Sequence, residues 1–336
     1  MSEGPAPELK KQMSQLLEAC PLCHNSDLPD LYHASDPHYG IPGRYRIVKC
    51  ANCSLIFLNP MYCDEELASL YPADYYAYQD QLHVSRAKQI AKRALGYWQG
   101  TKEPKLPRPG RFLDVGCGSG SFLQKMLREG WECHGVEISR KAVALGRSRG
   151  LNICIGNLSA HFHSEYFDYI RASHSLEHMT SPRETLLEIY RILKPGGTLM
   201  LAVPNIDSVN AKVFKQYWWH LCAPVHAFDF SVKTLSRLLS ECGFELRKVR
   251  FNSDYVGLLG SLQIWLNRDK QRNSSHGFVF NSRVLRVWSS WVQKLLDLAG
   301  SGDMIEVTAT KPVRRTCCDS VAFGHKAEQL SWLQVK

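Results

Sequence analysis

Three groups of residues in this 336-residue chain have the types and spacing to do chemistry. The first is Asp114-Val115-Gly116-Cys117-Gly118-Ser119-Gly120, a D-x-G-x-G-x-G turn that closes the apolar run Phe112, Leu113, Val115. Phe122, Leu123, Met126 and Leu127 then recur at helical spacing, with Gly130 as a stop. Strand, glycine turn and helix make a ligand-binding unit: glycine lets a ligand approach the backbone closely, and a helix N-terminus offers free N–H groups. A dinucleotide fingerprint would need its third glycine at position 121, which is Ser121, and a Walker loop would need G-K-[ST], which is absent. Asp114 would repel a diphosphate and suits a ligand that carries an amine. The second group is C-P-L-C at Cys20–Cys23 and C-A-N-C at Cys50–Cys53, with 26 residues between the pairs. Two such knuckles point four thiolates, Cys20, Cys23, Cys50 and Cys53, at one tetrahedral ion; with no open position the zinc would be structural. The competing reading is four unrelated buried cysteines. The third group is histidines: His174 in S-H-S-L-E-H-M, and His220 and His226 in the aromatic segment Gln216–Ser231. A neutral histidine can take a proton from a hydroxyl or carbon acceptor; it can equally serve only to shape its loop.

These residues need a scaffold, and the pattern after Gly110 supplies one. Strands are expected at Trp131–Val136, Leu151–Ile155, Phe167–Ala172, Thr198–Val203, Phe244–Phe251 and Met304–Lys311, alternating with helices. Ser181, Pro182 and Glu184 read as a capping box opening the helix that ends at K-P-G-G. Glu137 closes the second strand, 17 residues after Gly120, where its two oxygens can accept both hydroxyls of a ribose. It can also serve as charge at the start of a helix capped by Ser139. The 52 residues 252–303 stand where a hairpin would suffice, and include the amphipathic Arg283–Leu298.

D-V-G-C-G-S-G closely resembles motif I of the class I S-adenosylmethionine-dependent methyltransferases, and R-I-L-K-P-G-G-T-L-M-L matches that family's helix and fifth strand. The paired cysteines, followed by a strand, N-P, an acidic helix and the tyrosines Tyr71, Tyr75, Tyr76 and Tyr78, resemble a subgroup with an N-terminal zinc-binding domain. That subgroup includes enzymes that methylate nucleotide-linked sugars. The resemblance implies an α/β, Rossmann-like, seven-stranded and mostly parallel sheet with a small N-terminal zinc-ribbon-like domain. It implies S-adenosyl-L-methionine held by Asp114, Gly116, Gly118, Gly120 and Glu137, with Asn157 and Leu158 at the adenine and His174 near the methionine end. It places His226, and second His220, over the acceptor as catalytic residues. The tyrosines wall the acceptor or pack the two domains together. By their aromatic faces Tyr217, Trp218 and Trp219 are expected to line the acceptor pocket or to shield the sulfonium. Structural Zn2+ is the second cofactor.

The domain borders follow: a polar tail at 1–19, the zinc-binding domain at 20–80, a basic helix and linker at 81–108, the methyltransferase domain at 109–312 with a lid-like insertion at 252–303, and a polar tail at 313–336. Hydrophobic content of 44% and charged content of 22% describe a soluble globular chain. No apolar signal opens the chain, and a cytoplasmic location with reduced thiols among its 12 cysteines is expected. The net charge of +9 is concentrated in Ser85–Arg111. A small-molecule, sugar-nucleotide, glycan or lipid-linked acceptor is the first partner. The alternatives are RNA held by the zinc domain and the basic linker, a membrane surface met by residues 256–298, and a non-catalytic cofactor-binding scaffold.

Overall fold

The computed structural model describes residues 14–63, 66–67, 70, 109–156, 158, 161–270 and 274–313. The tyrosines Tyr71, Tyr75, Tyr76 and Tyr78, the basic stretch 85–108, Asn157 and the tail from 314 onward lie outside the described residues.

Eleven strands are described: β1 (Asp30–Ala34), β2 (Tyr45–Lys49), β3 (Ile56–Leu58), β4 (Arg111–Val115), β5 (Glu132–Glu137), β6 (Ile153–Ile155), β7 (Phe167–Ser173), β8 (Leu193–Pro204), β9 (Phe228–Asp229), β10 (Glu245–Phe251) and β11 (Met304–Thr310). The described helices are α1 (Ser121–Arg128), α2 (Arg140–Ser148), α3 (Pro182–Ile192), α4 (Val209–Phe214), α5 (Val232–Glu241), α6 (Tyr255–Leu266), α7 (Phe278–Asn281) and α8 (Arg283–Leu298).

Seven strands form one sheet in the order β10-β11-β8-β7-β4-β5-β6. The strands from β8 through β6 run parallel, and β11 is antiparallel to both of its neighbours. Central strands buried on both faces need near-continuous apolar sequence, and Phe112, Leu113 and Val115 of β4 and Leu199–Val203 of β8 provide it. One face packs Phe112, Tyr169 and Met200 against Leu123 and Met126 of α1. The other packs Leu113, Ile170 and Leu201 against Leu186 and Ile189 of α3 and Leu235 and Leu238 of α5. Ligands bind such sheets beyond the carboxyl ends of the parallel strands, which is where β4, β5, β7 and β8 deliver the residues of interest.

The helix caps differ from expectation at one point. The Ser181 hydroxyl makes no cap bond to α3; instead its carbonyl accepts the Thr185 N–H and hydroxyl, each at 3.1 Å. The capping box lies at α5, where the Ser231 hydroxyl accepts the Thr234 N–H (3.2 Å) and Thr234 Oγ1 accepts the Ser231 N–H (2.9 Å). Ser139 caps α2 through the Ala142 N–H at 3.3 Å.

The cysteine-bearing segment is bound into the larger unit. Its antiparallel strands β1, β2 and β3 take β9 as a fourth, with Phe57 opposite Phe228 and Ile56 opposite Asp229. Cys20, Leu22, Cys50, Leu55 and Phe57 share a core with Phe228, Phe230, Leu235 and Leu238. The insertion is held by the buried carboxylate of Asp303. Its Oδ1 accepts from Ser208 Oγ (2.7 Å) and Trp218 Nε1 (3.2 Å), and its Oδ2 from Asn210 Nδ2 and Gln293 Nε2, both 2.6 Å. Val284, Trp288, Trp291, Leu295 and Leu298 of α8 form an exposed apolar stripe. Among the described residues no helix is long and apolar enough to cross a membrane.

Candidate functional site

The turn after β4 is built for backbone approach. Gly116, Gly118 and Gly120 have φ of +74°, +53° and +82°, in the left-handed region that side chains disfavour. A Cβ on Gly116 would lie 2.7 Å from Ser175 Cβ, and one on Gly120 2.2 Å from Leu151 Cδ1. The Val136 carbonyl of β5 accepts the N–H groups of Gly116 (2.9 Å) and Cys117 (3.2 Å), fixing the turn beside the end of β5. There Glu137 is buried, with Oε2 accepting the Gly118 N–H and Oε1 the Ser139 N–H, both at 2.9 Å. Burial raises its carboxyl, and the N–H donors of Ser139, Gly118 and Ile138 oppose that rise without cancelling it. Each oxygen keeps lone-pair capacity for a further donor such as a hydroxyl. Glu137 and the glycine turn are therefore one unit, able to hold a ligand that combines a ribose with a group needing close backbone contact.

Asp114 is placed differently from the sequence expectation of a charge offered to the ligand. Its carboxylate is buried and accepts from Arg171 Nη1 at 3.0 Å, the residue opposite it on β7, whose guanidinium lies 4.1 Å over the Phe122 ring. The negative charge is balanced inside the protein. Leu158 is buried in the core with Val136. His174, with φ +54°, is 43% exposed at the end of β7.

A cluster of buried polar groups follows directly. Glu177 is 1% exposed, and no hydrogen-bond donor reaches either of its oxygens; His174 Nδ1 stands at 3.6 Å. His178 Nδ1 donates to the Val225 carbonyl at 3.1 Å, which leaves the lone pair on Nε2. The His226 ring meets His178 edge-on at a centroid distance of 4.5 Å. His226 is 8% exposed and its Nδ1 has no hydrogen-bond partner. Burial, then the neighbouring His178 and His220, hold its conjugate acid well below the usual histidine range, so the ring is neutral. Burial also lowers His178 and His220, and His220 Nε2 has no hydrogen-bond partner. Asp229 of β9 is 3% exposed, its Oδ1 unpartnered, and burial with the nearby Glu177 pushes its carboxyl well up. Ser175 Oγ is likewise buried without a hydrogen-bond partner. Buried polar atoms are nearly always satisfied, so this concentration marks the cluster as a candidate ligand or ion site.

The structure thus brings His226, His220 and His174 to the same edge as the glycine turn. Glu177, which the sequence shows only as part of S-H-S-L-E-H-M, and Asp229, not singled out there, join them. The E-H dipeptide beyond an apolar strand was a usable signal for Glu177; nothing local marks Asp229. Two aromatics expected to line the pocket do not. Trp218 is buried with its N–H on Asp303, and Trp219 stacks on Phe280 at 5.0 Å and fills the space above Gly260.

At the cysteine centre, the ligand atoms of Cys20, Cys23, Cys50 and Cys53 all lie within 4.8 Å of one another. The two knuckles share one backbone plan. Cys20 N–H bonds to the Asn25 carbonyl and His24 N–H to the Cys20 carbonyl; Cys50 N–H bonds to the Leu55 carbonyl and Ser54 N–H to the Cys50 carbonyl. His24 and Ser54 both have positive φ, +59° and +67°. Four converging thiols with their hydrogen-bonded knuckles fit a tetrahedral soft-metal site with no open position.

A family model described as a methyltransferase domain matches residues 78–249. A ubiquinone biosynthesis O-methyltransferase of Azoarcus sp. is 31% identical over 103 residues, covering 28% of this chain and 44% of that protein. One from Thiobacillus denitrificans is 28% identical over 166 residues, 45% of this chain and 71% of that protein. The chain spans roughly half the length of the first curated relatives it matches, between 44% and 65%. A solved S-adenosylmethionine-dependent methyltransferase of Thermotoga maritima is 21% identical, with a TM-score of 0.42 over 61% of this chain and 84% of its own. The family model covers more than half of the sequence and takes in the glycine turn, Glu137 and the E-H loop, and this chain belongs to the methyltransferase-domain family.

Proposed function

We propose that this chain is an S-adenosylmethionine-dependent methyltransferase acting on a hydroxyl-bearing small molecule, such as a sugar nucleotide or a glycan- or lipid-linked acceptor. We also read its N-terminal module as folded around structural zinc at Cys20, Cys23, Cys50 and Cys53. One observation carries the reading: Ser175 stands against Gly116, so the ligand-holding turn adjoins the loop that carries the unpartnered buried groups Ser175 and Glu177. S-adenosylmethionine, when bound, supplies an electrophilic methyl group. Gly116, Gly118, Gly120 and Glu137 hold it, and the absence of side chains at the turn fits a ligand lying on the backbone. The E-H loop and the Val225–Asp229 segment then hold the acceptor in line, which is the main source of rate in such a displacement. The names of the ubiquinone O-methyltransferase relatives support an oxygen acceptor on a small molecule.

His226 is the proposed proton acceptor, with His220 second. Its neutral ring has a free lone pair, but burial weakens it as a base, so unaided it suits an acidic hydroxyl such as a phenol. The test is formation of S-adenosylhomocysteine with a panel of phenols, sugar nucleotides and glycans. His226→Ala should lower kcat on a responsive acceptor by about 10²- to 10⁴-fold. Near-normal turnover in both His226→Ala and His220→Ala would end the base assignment.

A further inference from the structure

The geometry points to a divalent-cation site made by Glu177, His178 and His226, distinct from the cysteine centre. The inference rests on the proposed methyltransferase reading for its purpose, but not for its evidence. One atom from each residue, a carboxylate oxygen and two imidazole nitrogens, falls within 4.8 Å of the others. Two histidines and a carboxylate are a recurrent set for Zn2+, Fe2+, Co2+ or Mn2+, and the absence of thiolate separates it from the four-cysteine site.

Three further observations favour a cation. Metal-binding histidines characteristically donate their other ring N–H to a carbonyl or carboxylate, which fixes the tautomer; His178 does so, Nδ1 to Val225 at 3.1 Å. Glu177 is a carboxylate 1% exposed without a hydrogen-bond donor on either oxygen, a costly state unless positive charge compensates it. His226, 8% exposed, presents an unpartnered Nδ1. Glu177 and His178 are adjacent in one short 3-10 turn, Leu176–His178. The Val225–Ala227 strand of chain is clamped to that turn by the Ala227 N–H on the Glu177 carbonyl at 2.8 Å. The donors are therefore held by backbone as well as by packing.

Three protein ligands leave open positions on the ion. Ser175 Oγ, His220 Nε2 and Asp229 Oδ1 are likewise buried without hydrogen-bond partners. Acceptors with two adjacent oxygens, a vicinal diol or a catechol, can chelate such an ion. The cation lowers the pKa of the hydroxyl it holds. The hydroxyl proton then passes to solvent water. The oxygen keeps its electron pair and forms the bond to the methyl carbon, while the carbon–sulfur bonding pair returns to sulfur. In this state His226 is a ligand and not the base.

The experiment is metal analysis of the full chain, loaded with Zn2+ and, separately, with Co2+. The expected result is a second ion per chain beyond the cysteine-bound one, lost in Glu177→Gln and in His226→Ala. Absorption of the Co2+ form of the wild type gives a check that needs no variant. The cysteine site adds strong thiolate charge-transfer bands, and the second equivalent adds weak ligand-field bands alone. Saturation after one thiolate-bound ion, unchanged in Glu177→Gln, overturns the site. The two readings separate cleanly. Methyl transfer that persists with a single ion removes the cation site and leaves the enzyme standing. A second ion in a chain that neither binds nor uses S-adenosylmethionine keeps the site and removes the enzyme.

Discussion

Replacing Glu137 with Gln isolates what holds the ligand end of the sheet together. The wild-type carboxylate accepts two backbone N–H groups, from Gly118 and Ser139, at 2.9 Å each. Glutamine keeps one accepting oxygen, and its NH2 must face one of those N–H groups, donor against donor. A hydrogen bond to a charged group is worth about 1.5–3 kcal/mol, so the fold should lose roughly that amount. If the same carboxylate also receives ribose hydroxyls, a second loss of similar size falls on the ligand, about 10- to 100-fold in Kd for S-adenosylmethionine. Calorimetric titration with S-adenosylhomocysteine reads the affinity, and urea unfolding without ligand reads the stability. A Kd within about threefold of wild type, with stability lowered as expected, would show that Glu137 only supports the turn and is not a ribose anchor.

Asp303→Ala strands the four donors of Ser208, Trp218, Asn210 and Gln293, and should cost about 3–5 kcal/mol in urea unfolding; a loss under about 1 kcal/mol would mean that water replaces the carboxylate. Burial lowers His38 from 6.5 to about 4, so between those values the unfolded chain binds the extra proton and stability falls as pH falls. Relative to neutral pH, wild type should lose about 2 kcal/mol more than His38→Asn at about pH 5, and parallel pH profiles of the two would refute this. If the proposed metal at the four cysteines is bound, its chelation should loosen β3 and, through its pairing with β9, the segment that carries Asp229. Methyl transfer should therefore fall while S-adenosylhomocysteine affinity holds; equal loss of both would place the module's role at the cofactor instead.

The central sheet could be read from sequence because strands buried on both faces must be almost wholly apolar, as Phe112–Val115 and Leu199–Val203 are. The glycine turn was equally legible, since positive φ at Gly116, Gly118 and Gly120 leaves few alternatives to glycine. What escaped depends on partners distant in sequence. β9 is a two-residue strand, too short for any periodicity, and it exists because β3 offers it an edge. Trp218 reads as a pocket aromatic until Asp303, 85 residues on, takes its N–H. Asp114 looks like a free charge until Arg171, 57 residues on, reaches it. Ser181 has the right residues around it for a capping box, yet the backbone turns its carbonyl, and not its hydroxyl, toward Thr185. The cluster of Glu177, His178, His226 and Asp229 was only partly visible: His226 stood out by type, but its meeting with Glu177 and His178 is a property of the fold.

The most direct test of the account is transfer of tritiated methyl from S-adenosylmethionine into fractionated cell extract, with Gly118→Arg as the control that blocks the glycine turn. The account predicts label in the fractions holding sugar nucleotides, glycans or hydroxyl-bearing lipids, and none with the control. Label in RNA that ribonuclease releases, or no label from a protein that binds S-adenosylmethionine, would contradict it.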